Sequence, residues 1–101
     1  MMLLTQEIKK AIPALYAQDG KGKDAIVYVK FFNPIGSWTW YATEYDPDTR
    51  TFFGCVVGDF TELGYFSLDE LEGLELPGGL GIERDLHFTR QTLREAIKTG
   101  A

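Results

Sequence analysis

The chain has 101 residues, a length that predicts a single domain over 1–101. A hydrophobic content of 45%, with seven Phe and five Tyr, predicts a packed core and excludes a disordered chain. The net charge of -5 disfavours nucleic acid as the partner, because an acidic protein repels phosphate groups.

Two absences bear on the cellular location. No apolar run approaches the roughly 18 residues of a membrane span, and the apolar start of the chain is too short for a secretory signal. The single Cys55 cannot form an internal disulfide, which fits a reducing compartment. We therefore expect a cytoplasmic protein without membrane contact.

The N-terminal third of the chain predicts a helix, a loop and a strand. Thr5 is a good N-cap for a helix from Gln6 to about Ala17, which Pro13 should kink or restart. Polar and glycine residues predict a loop over 18–24. The β-branched and aromatic run from Ala25 to Phe32 predicts the first strand.

Turn signals divide the middle of the chain into short strands. The predicted strands are Ser37–Tyr45, Thr51–Val57 and Glu62–Phe66, and the turns between them contain Asn-Pro, Asp-Pro or Gly residues. Such short connections favour an antiparallel meander.

The last third predicts two helices and one strand. A capping-box pattern at Ser67–Glu70 predicts a short helix to about Glu72. A glycine-rich loop and a strand Ile82–Phe88 should follow, and Thr89 should cap a helix Arg90–Lys98 that Gly100 closes. The predicted fold is thus α+β: a small, mostly antiparallel meander of four or five strands packed with N-terminal, short middle and C-terminal helices.

The segment from Ser37 to Asp46 contains both tryptophans. Alternation along the strand predicts that Trp38, Trp40, Ala42 and Glu44 share one face, with Tyr41 on the other. The strand parity favours core packing of the two tryptophans, and the alternative is a partly exposed aromatic binding platform. Arg84 lies on the apolar side of its predicted strand. We expect it to pair with an acid such as Glu44 or Glu62, or to anchor a substrate carboxylate or phosphate.

Carboxylates form two further candidate sites. Glu83, Asp85 and His87 alternate on the predicted last strand and are suitable metal ligands, to which Glu44 or Asp46 would add if they lay on a neighbouring strand. On the short helix, Asp69, Glu70 and Glu72 predict either a solvated face or a surface that imitates nucleic-acid phosphates.

Acidic residues dominate the middle of the chain. Eleven acids lie between Glu44 and Asp85, opposed by only Arg50 and Arg84. This bias favours a basic protein partner or a metal, and disfavours nucleic acid. No motif for a cofactor or for nucleophilic catalysis occurs, and a buried, inert thiol is expected at Cys55.

Several segments resemble one known family, the bacterial domain-of-unknown-function family number 2958. They are Leu3-Leu4-Thr5, Pro13–Tyr16, Lys30–Phe32, Trp38–Asp46, Phe52–Gly54, Glu62–Leu68 and Ile82–Leu86. The resemblance covers nearly the whole chain. It implies an association with plasmids, phages and other mobile elements, and it implies no established activity, cofactor or catalytic residue.

Three functional hypotheses follow. The first is a non-enzymatic module that binds a protein partner through an acidic surface, for example an inhibitor of a host nucleic-acid-binding or defence protein. The second is a small metal-binding or hydrolytic domain that uses Glu44, Asp46, Glu83, Asp85 and His87. The third is weak nucleic-acid binding through the basic N-terminal region, which contains Lys9, Lys10, Lys21 and Lys23. The oligomeric state is not predicted.

Overall fold

The structure, a computed structural model, describes residues 1–100, and its main sheet has five antiparallel strands. The strands are β2 (Val29–Phe32), β3 (Thr39–Asp46), β4 (Thr51–Val57), β5 (Thr61–Ser67) and β6 (Glu83–Arg84). Their spatial order is β5-β4-β3-β2-β6. Successive strands β2 to β5 are neighbours, so the predicted meander and the α+β class are confirmed.

A second, two-stranded sheet pairs β1 (Ile26–Val27) with β7 (Gln91–Thr92). The prediction of one continuous strand from Ala25 to Phe32 is therefore wrong, because β1 and β2 pair with different partners. The predicted strand Ile82–Phe88 also shortens to β6, because the chain turns after Asp85, whose carbonyl accepts the N–H of Phe88 at 3.4 Å.

Within residues 1–100, three α-helices complete the fold: α1 (Gln6–Ala11), α2 (Leu68–Gly73) and α3 (Leu93–Thr99). Two short 3₁₀ helices, Gly22–Asp24 and Pro77–Gly79, lie in the connecting loops. The predicted N-caps Thr5 and Ser67 are confirmed, since each side chain accepts a backbone N–H of the first turn. Helix α1 ends at Ala11 rather than near Ala17, because the residue before a proline is driven out of the helical region, as Ile12 is at ψ 130°.

The start of α3 differs from the prediction. Thr92, and not Thr89, is the N-cap, and it forms a capping box with Glu95. The two residues before α3 cannot join the helix because they are paired with β1. Gly100 closes the helix as expected, in the left-handed region at φ 70°.

The main sheet carries a hydrophobic core on each face. One core contains Phe31, Trp40, Phe52 and side chains of α2, and the other contains Val27, Tyr41, Cys55 and side chains of α3. Here we call them the α2 face and the α3 face. Of the helices within residues 1–100, none is both long and apolar enough to cross a bilayer.

A β-bulge in β3 reverses the facing of its last residues. The register with β4 shifts between Ala42 and Glu44, so that Glu44 lies opposite Phe53 and Tyr45 opposite Phe52. Glu44 therefore lies on the α3 face, and the prediction that it shares a face with Trp38 and Trp40 is wrong. Glycine is required beside the bulge, because a Cβ on Gly54 would lie 1.8 Å from the carbonyl oxygen of Tyr41.

Candidate functional site

The two tryptophans form a partly exposed pair on the α2 face. Trp40 lies in the core at 8% exposure, whereas Trp38 is 43% exposed, and their ring centroids are 6.1 Å apart. Trp38 packs on the backbone of Gly58, where an added Cβ would lie 2.5 Å from the indole ring. The core interpretation thus holds for Trp40 and fails for Trp38.

Trp38 is the shared wall of two hollows, of about 470 Å³ and 120 Å³. We call the combined feature the acid-rimmed groove. Its apolar lining includes Trp38, Trp40, Val56, Phe60, Phe66, Leu71 and Leu74. The acids that line it are Asp59, Glu62 and Glu70, and no lysine or arginine within residues 1–100 does so.

The groove contains exposed large apolar side chains. Phe60 is 77% exposed, Leu74 is 44% exposed and Trp38 is 43% exposed. Apolar patches rimmed by polar residues are typical of protein interaction sites. The arrangement is thus suited to binding an apolar surface that carries positive charge.

The three acids of α2 do not act together. Arg50 forms ion pairs with Asp69 and Glu72, at 2.5 and 2.8 Å. Glu70 takes no part in these ion pairs and lines the groove. Only one of the three predicted carboxylates therefore contributes to the groove, while exposed ion pairs such as those of Arg50 typically contribute about 0–1 kcal/mol to stability.

The predicted pair of Glu44 and Arg84 does not form. Arg84 donates to the carbonyl oxygens of Met2 and Leu3, and so ties the N-terminal segment to β6. The two oxygens of Glu44 accept the backbone N–H groups of Tyr16 and Gln18, each at 2.8 Å. The β3 bulge explains the difference, because it places Glu44 on the other face of the sheet.

Glu44 lies at one side of a pocket of about 450 Å³ on the α3 face, which we call the Glu44 pocket. Its lining includes Tyr16, Gln18, Asp19, Ala25, Thr43, Phe53, Leu63, Tyr65 and Leu93. Tyr16 has a positive φ of 73°, which non-glycine residues seldom adopt. A hydrogen bond with Tyr16 is the main cause that raises the pKa of Tyr65, and the nearby carboxylates of Glu44 and Asp19 add to it.

Gln18 fixes the loop beside the Glu44 pocket. Its side-chain amide donates to the carbonyl oxygens of Ile26 and Thr43 and accepts the N–H of Ile26, at 2.7–2.9 Å. Tyr16, Gln18, Phe53 and Tyr65 were not among the site residues predicted from the sequence. The one available signal was Gly54, because a glycine within a strand often marks a bulge.

The candidate metal ligands near β6 do not form one site. Asp85 forms an ion pair with Lys30 at 3.5 Å and accepts the backbone N–H of His87. Strand β6 borders β2 and not β3, so Glu44 and Asp46 do not lie on its neighbour. Across residues 1–100, no group of three or more His, Cys, Asp or Glu side chains could hold a metal ion.

Asp46, Tyr41 and Cys55, which remain from the residues considered above, contribute to a turn or to the core. Asp46 accepts the N–H of Asp48 at 3.0 Å and the hydroxyl of Thr49 at 2.9 Å, and so closes the turn before β4. Tyr41 and Cys55 are buried in the α3-face core, and burial raises the pKa of each above its ordinary value. The expectation of a buried thiol is confirmed.

Comparisons with known proteins give a family and no function. Neither the curated proteins nor the solved structures contain a match to this chain. One family model, described as "Protein of unknown function (DUF2958)", matches residues 3–98. That match extends over nearly the whole chain and agrees with the resemblance seen in the sequence, and so the chain belongs to the DUF2958 family.

Proposed function

We propose that the protein is a non-enzymatic binding module whose acid-rimmed groove receives an apolar, positively charged surface of a protein partner. The observation that carries the proposal is that two exposed aromatic side chains, Trp38 and Phe60, lie in a groove that acids line and that no lysine or arginine of residues 1–100 lines. Tryptophan is among the residues that dominate binding energy at protein interfaces.

The charges select the class of partner. Asp59, Glu62 and Glu70 would attract lysine or arginine side chains and would speed the encounter with a basic protein. Phosphate groups of nucleic acids would be repelled by the same carboxylates.

A second copy of the chain fits the groove poorly. In a symmetric dimer each groove would face the same groove of the other copy, so the three acids of each rim would be brought together. Like charges in such an interface cost several kcal/mol. A heterologous, basic partner avoids this repulsion.

The edge strand β5 extends the proposed surface. It is terminal in the sheet order, runs for seven residues and carries Glu62 of the groove. Edge strands present unpaired backbone N–H and C=O groups that a partner strand can use. Backbone pairing at β5 would add affinity that does not depend on partner sequence.

The family setting suggests the identity of the partner class. On a plasmid or phage, a groove of this kind would serve to block a basic surface of a host nucleic-acid-binding or defence protein. The metal-binding hypothesis and the nucleic-acid hypothesis both stay predictions, since no contact among the described residues favours either one.

Site-specific photo-crosslinking in the natural host tests the proposal. A photoreactive phenylalanine replaces Phe60 in the groove or, as control, Leu86, which is 64% exposed beside Arg84 and Arg90. We expect an adduct with a basic protein from position 60 only. Glu62→Lys should abolish the adduct, because it places a cation in the rim.

Three results would contradict the proposal. The first is equal crosslinking from positions 60 and 86, and the second is no crosslinking from either position. The third is an adduct of twice the mass of the chain, which would identify a second copy as the occupant.

A further inference from the structure

The Glu44 pocket contains a buried carboxylate without a cationic partner. Glu44 is 4% exposed. Both of its oxygens accept neutral backbone N–H groups, and within residues 1–100 it forms no ion pair. Charged groups this deeply buried are normally paired with an opposite charge or a metal.

The wall of the pocket is aromatic and aliphatic. Phe53 and Tyr65 meet edge to face with centroids 5.0 Å apart, and Tyr16 lies beside them. The faces of aromatic rings carry partial negative charge and attract cations, most strongly where water is excluded. Leu63 and Leu93 supply apolar surface for the body of a ligand.

We propose that the Glu44 pocket binds an organic cation, an ammonium or guanidinium group on an apolar stem. The cation would face the Glu44 carboxylate and the aromatic rings, and the stem would pack on Leu63 and Leu93. The source is either a free amine or a lysine or arginine side chain of another protein. The inference does not rest on the proposed function, because this pocket and the acid-rimmed groove open on opposite faces of the sheet.

Other ligand classes fit the pocket less well. An anion would be repelled by Glu44 and by Asp19 at the mouth. A neutral apolar ligand would leave the buried charge uncompensated. A divalent metal needs more oxygen ligands than these two carboxylates supply, since both oxygens of Glu44 already accept hydrogen bonds.

Lysines also lie near the pocket. Lys21 and Lys23 belong to the exposed loop beside Gly22, but neither side chain lines the cavity. Their charges are exposed to solvent and therefore screened.

An NMR titration of the full chain tests the inference. The probes are butylammonium and butylguanidinium, with butanol as neutral and butyrate as anionic counterpart. We expect both cations to shift the amide signals of Tyr16, Gln18 and Tyr65, with butanol at least about tenfold weaker, as loss of charge from a desolvated cation–π site implies. Equal binding of butanol, or no shift with either cation, would overturn the inference.

Two variants localise the binding. Tyr65→Leu should weaken the binding of both cations about tenfold, because it removes one aromatic ring from the wall of the pocket. Its control, Leu86→Ala, removes an exposed apolar side chain that lines neither the pocket nor the groove, and it should leave cation binding unchanged. If both variants bind like the wild type, the cations bind elsewhere and the inference is wrong.

A peptide arm separates the two sources. If a capped tripeptide with central lysine or arginine binds about tenfold or more tighter than the free amine, a protein side chain is the ligand. If the free amine binds tighter, a small amine is the ligand. Both results support a cation site, and they assign it to different partners.

Discussion

Glu44→Gln is the substitution that most directly tests whether the bulge in β3 places Glu44 on the α3 face. The carboxylate holds two backbone N–H groups, those of Tyr16 and Gln18, each at 2.8 Å. Glutamine can accept one of them but turns its NH₂ group toward the other. A hydrogen bond to a charged group contributes about 1.5–3 kcal/mol, and its loss also leaves a buried donor unsatisfied.

Removal of an uncompensated buried charge offsets part of this loss. We therefore expect the lower end of the range, so that the free energy of unfolding falls by about 1.5 kcal/mol. For a domain of this size, that change lowers the melting temperature by roughly 6–12 °C. Urea denaturation followed by tryptophan fluorescence measures the free energy directly.

Glu62→Gln is the matched control, because Glu62 is exposed on β5. Its effect should stay within about 0.5 kcal/mol. A second control is the double variant with Arg84→Gln, whose effects should add within about 0.5 kcal/mol if the two residues do not interact. Equal stability of Glu44→Gln and Glu62→Gln, or strong coupling of Glu44 to Arg84, would refute the reasoning.

Two further predictions concern the sheet. Gly54→Ala should lower the free energy of unfolding by about 3 kcal/mol or more, because its Cβ meets the Tyr41 backbone. Gly64 lies opposite Gly54, and Gly64→Ala should stabilise the protein by up to about 1 kcal/mol, because its Cβ meets nothing within 4 Å. Equal effects of the two variants in urea denaturation would contradict this. Burial raises the pKa of Cys55, so the folded state holds its proton to higher pH than the unfolded state. Its contribution is therefore complete below the unfolded thiol pKa of about 8.5 and is lost as pH rises through the folded value. Cys55→Ala should flatten the fall in stability above that pH, and an unchanged slope would contradict the assignment.

Local patterns in the sequence predicted the local structure. Thr5 and Ser67 were identified as N-caps because each precedes an apolar-periodic segment and can accept an N–H of the first turn. The meander followed from turn residues between short β runs. Both inferences depend on interactions among residues a few positions apart.

Contacts between distant parts of the chain determine the features that local sequence patterns predicted wrongly. Thr89 was the predicted cap, but the pairing of β7 with β1, about 65 residues away, keeps 91–92 extended, so the helix begins after Thr92, which forms a capping box with Glu95. Likewise, alternation along β3 predicted Glu44 beside Trp40, and the bulge opposite Gly54 reversed it. A single inserted residue moves every later side chain to the other face.

The residues of the candidate sites differ in the same way in how far the sequence could predict them. Trp38 and Glu70 were recognisable because their residue types are typical of interfaces and acidic surfaces. Tyr16 and Tyr65 were not, because they meet only when the loop before β1 folds across β5.

The most direct test of the proposed function is the affinity of the protein captured at position 60 for purified variants. Calorimetry should show that Trp38→Ala loses about 2 kcal/mol or more, roughly 30-fold in dissociation constant, as expected for a tryptophan at the centre of an interface. Leu86→Ala, which changes an exposed apolar residue outside the groove, should bind like the wild type. Wild-type affinity in Trp38→Ala would contradict the assignment of the acid-rimmed groove as the binding surface.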